Sequence, residues 1–334
     1  MRERLPALGK SVLRGVGDDA AWLKTASQTL VTCDLLIENV HFLPQLTPPR
    51  LLGRKALSVN LSDIAAMAGI PDFAILGLGF PREIELEYAD ELLEGFLEVA
   101  AENKVELIGG DTTAAPVLTI AVTVLGRALN KRPVLRSGAK AGDEVWVTGT
   151  VGDAGLGFEL LKKSLNQEQE ISELHYSSLA VRHLNPTPRL EAGQKLAAIA
   201  NAMVDVSDGI VSDLTRILEE SSRKTPLRGR LFLERIPLSR DFRKYFEDKP
   251  WQSKNGLALA LTGGEDYELL FTAAPKKRRL IAKLADELGL AFSRIGKIEK
   301  ARKIEIILQH ENGKTLPLPK PWFEHFPKTE STPN

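Results

Sequence analysis

Aspartates recur in this chain at loops beside apolar segments: Asp18 and Asp19, Asp34, Asp63, Asp111, Asp205 and Asp208, most with Gly or Ser within two residues. Taken singly, each reads as a helix cap or an Asx-turn. Asp63 is less easily explained, because Ser62-Asp63 falls inside a helical pattern where Asp is a poor helix former. As a set they imply chemistry if they converge. Two carboxylates about 5 Å apart repel by about 3 kcal/mol at an effective dielectric of 20, so such a cluster must hold protons or bind cations. With one cysteine and 5 histidines in 334 residues, oxygen donors dominate and favour Mg²⁺ over zinc. Mg²⁺ commonly accompanies phosphates, and Gly109-Gly110 and the glycines of 149–157 allow backbone N–H groups to approach such anions. Arg136-Ser137-Gly138 offers either a bidentate phosphate clamp or a solvated arginine. His41 is either a packed histidine or a second anion contact. Gly263-Gly264-Glu265-Asp266 is an unusually acidic, glycine-dense turn.

Alternating strand-like and helix-like segments must position these groups, which indicates an α/β (α+β) fold. Strands are expected at 29–34, 73–80, 105–108, 117–125 and 144–148, and helices at 50–67, 85–103, 210–220 and 275–288. The segments 257–261 and 267–272 read as two strands flanking the acidic glycine turn. A hairpin is expected over 303–318, turning at Asn312-Gly313. The Lys-, Arg-, Gly- and Pro-rich stretch 130–142 marks a domain boundary. The expected division is an N-terminal domain 1–137, a C-terminal α/β domain 138–327 and a polar tail 328–334.

Composition narrows the function. Apolar residues make up 43% and charged residues 26%, and 44 basic residues balance 44 acidic ones. That is globular, without the basic excess of a nucleic-acid binder. A lone Cys33 excludes an intrachain disulfide and fits a reducing cytoplasm. No apolar run is long enough for a membrane span and the N-terminus lacks a secretory pattern. Gly9-Lys10-Ser11 and Gly313-Lys314-Thr315 resemble the end of a P-loop, but the first glycine of that motif would fall at Arg4 and Leu308. Gly15-Val16-Gly17-Asp18-Asp19-Ala20 has dinucleotide-fingerprint spacing, yet its two carboxylates would repel a pyrophosphate unless cations lay between.

Ordered blocks along the chain resemble the thiamine-monophosphate kinase family, of the superfamily that includes aminoimidazole ribonucleotide synthetase. They are Gly15 to Ala20, Asp34 through His41-Phe42, Ala56 to Met67, Ile108-Gly109-Gly110-Asp111-Thr112-Thr113, Arg136-Ser137-Gly138-Ala139, Asp205-Val206-Ser207-Asp208-Gly209 and Gly263 to Leu269, with a further match at 322–326. The resemblance implies the two-domain aminoimidazole ribonucleotide synthetase-like fold, with N-terminal strands pairing across a homodimer and ATP in the inter-domain cleft. It implies several Mg²⁺ ions on Asp19, Thr32, Cys33, Asp34, Asp63, Asp111, Asp205 and Asp208. Gly110, Asp111, Arg136 and Ser207 are implied ATP contacts, and His41, Glu265 and Phe323 substrate contacts. The family pattern Thr-Asp-Thr stands here as Cys33-Asp34-Leu35, and thiol is a poor ligand for hard Mg²⁺; Thr32 or backbone carbonyls would compensate.

The implied reaction transfers the ATP γ-phosphoryl group to thiamine monophosphate. The attacking phosphate oxygen, with a second pKa near ~6, is already largely deprotonated at neutral pH. No general base is then needed, and Asp63 and Asp208 are expected to matter most through metal positioning. The alternatives are another ATP-dependent synthetase of the superfamily and a non-catalytic nucleotide-binding relative.

Overall fold

The computed structural model describes residues 12–14, 21–24, 28–129, 132–165, 177–222 and 225–322. Two mixed sheets organise them. The first comprises β1 (Val12–Arg14), β2 (Ala21–Lys24), β3 (Gln28–Ile37), β4 (Gly69–Phe80), β5 (Glu106–Ala114) and β6 (Thr119–Ala128), in the order β1-β2-β3-β6-β4-β5. Only β4 and β5 pair in parallel. The second comprises β7 (Glu144–Thr148), β8 (Ala202–Asp205), β9 (Leu227–Phe232), β10 (Leu269–Ala273), β11 (Phe292–Lys300), β12 (Glu305–Gln309) and β13 (Thr315–Leu316), in the order β13-β12-β9-β11-β7-β10-β8. The chain is thus a mixed α/β fold built on two sheets.

Strand periodicity decides which side chains face the cleft. On β6, Ile120, Val122 and Val124 are buried while Thr119, Ala121 and Thr123 alternate with them. On β3 the same period-2 rule turns Leu30, Thr32, Asp34 and Leu36 inward and Cys33 and Leu35 outward. The inner face packs under α1 (Pro49–Ala66) and α2 (Leu86–Glu102), joining Leu36, Leu76 and Val122 to Leu57, Leu61 and Phe96 in one core.

Helix α1 starts on a proline, whose missing N–H costs nothing in the first turn. It is buried on almost every side, as expected of a helix enclosed by neighbours rather than lying on a surface. Glycines make this possible. A Cβ at Gly53 would lie 1.8 Å from the Leu92 carbonyl oxygen, and one at Gly95 1.9 Å from that of Arg50. On the other flank, α5 (Leu190–Leu196), which follows α3 (Asp153–Ser164) and α4 (Ser178–Leu184), brings Gly193 to α1. A Cβ there would be 2.1 Å from the Ala65 carbonyl.

The 257–261 segment corrects the sequence reading. It belongs to a helix, α7 (Lys254–Thr262), which comes after α6 (Ile210–Ser221) and a short helix at Arg240–Tyr245. The Ser253 side chain caps it, accepting from the Gly256 N–H at 3.2 Å. Leu-Ala alternation over five residues suits either period, and Leu and Ala are strong helix formers. The acidic glycine turn therefore joins a helix to β10. The hairpin at Gly313 forms as read, with Leu308 opposite Leu316.

Candidate functional site: an acidic cleft between the two sheets

A cleft of about 610 Å³ opens between the two halves. Asp34, His41, Asp63, Asp205, Ser207, Asp208 and Glu265 all line it. Asp63 lies near the end of α1, and the Thr32 hydroxyl donates to its carboxylate. Asn60, one turn earlier, accepts from the Asp34 N–H at 3.1 Å and donates to the Ala56 carbonyl at 3.1 Å. Ser62 reaches across the cleft, donating to Asp205 at 2.7 Å. Asp208 is paired with Arg216, which also donates to the fully buried Asp213 at 2.7 Å. Asp213 in turn accepts the Asp208 N–H at 3.1 Å. Burial pushes the Asp213 carboxyl well above its usual range, against the pull of Arg216.

Tyr267 marks the point where the acids meet. Burial raises its phenol well above the ordinary value, and the charges of Glu265, Asp34, Asp205 and Asp63 add to the rise in that order. Carboxylates separated by more than two hundred residues therefore act on one hydroxyl. The loop that carries it is held in an unusual backbone. Glu265 has φ 56°, Tyr267 φ 50° and Gly264 φ 71°. Left-handed conformations at non-glycine residues cost on the order of 1 kcal/mol or more and concentrate at functional sites. Two hydrogen bonds pin the loop to the Asp205–Gly209 turn: Glu265 N–H to the Ser207 carbonyl at 2.8 Å, and Tyr267 N–H to the Val206 carbonyl at 2.9 Å.

Glu265 faces two partners that sequence reasoning missed, Lys55 on α1 and His183 on α4. The clue available for Lys55 was its position on the same helical face as Val59 and Asp63, four and eight residues on. His183 carried no local signal. His41 sits in the turn after β3, where its Nδ1 accepts from the Ile37 N–H at 3.1 Å; the proton of a neutral ring is then on Nε2.

Other expected residues fall elsewhere. Cys33 is exposed on the outward face of β3, so its thiol is not among the inward carboxylates. Gly110 and Asp111 lie on the exposed edge strand β5, opposite Leu76 and Gly77, and do not line the cleft. Three strand spacings separate β5 from β3, about 14 Å. Arg136 approaches Arg216 closely enough for their charges to repel, and its carbonyl accepts from Ser221 at 3.2 Å. Asp19, with the Gly15 to Ala20 block, and Phe323 lie outside the described residues. Among the described residues, no three His, Cys, Asp or Glu side chains are close enough to hold one ion between them. Apart from the His41 and His183 imidazoles, the donors lining the cleft are oxygens, in keeping with Mg²⁺, which is usually held by one or two carboxylates with water and substrate phosphates completing its shell.

Comparison with known proteins accords with this architecture. The AIR synthase related protein N-terminal domain matches residues 17–128, and the corresponding C-terminal domain residues 140–309. A thiamine-monophosphate kinase of Salmonella typhimurium is 37% identical over 298 residues, covering 89% of this chain and 87% of the relative. This chain belongs to the thiamine-monophosphate kinase family. A thiamine-monophosphate kinase of Stenotrophomonas maltophilia K279a has a related structure, with TM-score 0.75, 36% identity and coverage of 89% of this chain and 91% of its own. A structure of AaThiL complexed with AMPPCP and TMP aligns with TM-score 0.76 and 33% identity, covering 93% of this chain and 91% of its own. The expected two-domain aminoimidazole ribonucleotide synthetase-like α/β fold is therefore the one adopted.

Proposed function

We propose that this chain transfers the γ-phosphoryl group of ATP to thiamine monophosphate, giving thiamine diphosphate and ADP. The observation that carries this reading, beyond family membership, is that Asp34, Asp63, Asp205, Asp208 and Glu265, from distant parts of the chain, line one cleft. In our reading Asp34, Asp63, Asp205 and Asp208 hold Mg²⁺, joined by Asp19 and by oxygens of Thr32 and the Cys33 backbone, while Gly110 and Asp111, on a sheet edge outside this cleft, would act from a second copy of the chain. When bound, Mg²⁺ neutralises phosphate charge and so eases the approach of one polyanion to another. The chain's own task is placement. Thr32, Asn60 and Ser62 fix Asp63, Asp34 and Asp205 before substrate arrives. Arg136, Ser207, Gly110 and Asp111 are assigned to ATP, and His41, Glu265 and Phe323 to thiamine monophosphate. No side chain is assigned as general base, because the attacking phosphate needs none.

We further propose a homodimer. Leu35 on β3, Phe73 and Ile75 on β4 and Ile108 on β5 are exposed apolar side chains of the first sheet, a combination that favours a covering partner. A second copy seated on that sheet would also lie against β5 and Asp111. We place the protein in the cytoplasm on its cysteine usage; no helix among the described residues is long and apolar enough to cross a membrane.

The test is direct. Purified protein is incubated with ATP, thiamine monophosphate and Mg²⁺, and thiamine diphosphate is measured. Formation dependent on all three is expected, with no phosphate trapped on the protein. ATP consumption without thiamine diphosphate would favour another synthetase of the superfamily.

A further inference from the structure

Three ionisable side chains from three elements, Lys55, His183 and Glu265, meet in the floor of the cleft, and the function proposed above uses only Glu265. Lys55 of α1 is 1% exposed and His183 of α4 2%. Lys55 Nζ lies 3.1 Å from each carboxylate oxygen of Glu265 and 3.5 Å from His183 Nε2. His183 Nδ1 lies 2.8 Å from Glu265 Oε2, within ion-pair distance but without hydrogen-bond alignment. An ammonium can only donate, so His183 Nε2 is the acceptor and Nδ1 carries the proton that faces Glu265. This is the neutral imidazole, and burial followed by the Lys55 charge lowers its pKa. Burial works against the Glu265 charge, but Lys55 and His183 outweigh it and hold the carboxyl below its usual range. The group as a whole is neutral, which makes its burial tolerable. Phe158 stacks on the His183 ring at 4.6 Å and limits its rotation. The Glu265 side chain nevertheless keeps 28% of its surface, on the cleft.

The geometry points to Lys55 and His183 as positioning residues that hold Glu265 as a fixed anion facing the cleft, where it selects the amino-bearing pyrimidine end of the acceptor and turns its phosphate away. This rests on the function proposed above. A free carboxylate beside aspartates would swing or take up a proton. One held from behind by the Lys55 ammonium, with the His183 ring in close contact, presents its remaining lone pairs in a single direction. It attracts the organic end of thiamine monophosphate and repels its phosphate, which fixes the orientation needed for transfer. Neither Lys55 nor His183 has to touch substrate.

The experiment measures KM for thiamine monophosphate and for ATP separately, alongside direct calorimetric binding of thiamine monophosphate, in wild type, Lys55→Met, His183→Leu and His183→Asn. Loss of a charge-assisted grip should raise the thiamine monophosphate KM and Kd by about tenfold or more, while KM for ATP stays within about twofold. His183→Asn keeps a donor near the Nδ1 position and should recover most of the loss. Lys55→Met leaves a buried acid without its cation and could fail to fold, so Lys55→Met is also placed in a Glu265→Gln background. There it should add nothing to the defect of Glu265→Gln alone. The inference is overturned if KM for ATP rises in parallel, if the asparagine variant is as impaired as the leucine one, or if Lys55→Met adds its full effect without Glu265. Wild-type turnover with unchanged variants would sink this inference and leave the kinase reading standing. A wild type that neither binds nor phosphorylates thiamine monophosphate would sink both.

Discussion

Replacing Glu268 with Gln should unfold this protein at a markedly lower temperature. Glu268 is completely buried. Its Oε1 accepts from Arg182 at 2.7 Å and Arg189 at 2.6 Å, and its Oε2 from Arg189 at 2.8 Å and Thr148 at 2.6 Å. Burial opposes its charge, yet Arg189 and Arg182 hold its pKa below the usual range. An amide keeps one acceptor and turns an N–H₂ group toward donors. Two guanidinium groups, 21% and 20% exposed, then lose their counter-ion. Breaking a buried pair from one side costs about 3–5 kcal/mol. At about 2–4 °C per kcal/mol for a domain of about 150–250 residues, the melting temperature should fall by roughly 6–20 °C. Thermal unfolding by circular dichroism, repeated in denaturant to check that the m-value is unchanged, measures it. The function should suffer too, because the Glu268 carbonyl accepts the Val206 N–H at 2.8 Å beside the strained turn. A loss below about 1 kcal/mol would refute the view that this carboxylate anchors the acidic loop.

Three further outcomes are expected. Asp63→Asn should nearly abolish thiamine diphosphate formation even at saturating Mg²⁺; near-normal kinetics would remove Asp63 from the metal set. Adding Mg²⁺ should stabilise the fold by mass action, by about 2.7 kcal/mol at a hundred times its Kd, and so raise the melting temperature; a chelator should reverse it. Asp63→Asn should blunt that rise, and an equal rise in the variant would count against the carboxylate cluster as the binding site. Glu299 accepts from Arg230 and Arg228, and the Arg230 hydrogen bond above all lowers its pKa to about 2. Its stabilisation is therefore present above about pH 4.3, the unfolded value, and is lost as pH falls toward about 2. Glu299→Gln should be less stable at neutral pH and show a flatter acid-unfolding profile; identical profiles would contradict the assignment.

Legibility in the sequence followed the strength of local signals. Strand 144–148 and helix α1 could be placed because an apolar run between turn residues, or an apolar stripe of helical period, admits few alternatives. Strand β9 escaped notice because its exposed face alternates arginines, Arg228 and Arg230, whose partner Glu299 is supplied by β11. Its β character is visible only once the neighbour is known. The aspartates could be singled out by residue type, but their convergence could not, since it depends on Ser62 meeting Asp205 across 143 residues. Lys55 and His183 had no readable signal as a pair, being 128 residues apart. The displacement of Asp111 to a sheet edge required the strand order.

The glycine contacts on both flanks of α1 have a mechanical consequence. A helix whose backbone touches its neighbours through Gly53, Gly95 and Gly193 has no lubricating side chains on which to slide or pivot. Because that helix carries Lys55, Asn60, Ser62 and Asp63 and packs against both halves of the molecule, it works as a fixed spar. Any change in the spacing of its neighbours would therefore have to move the helix, and with it all four of these side chains, as one body.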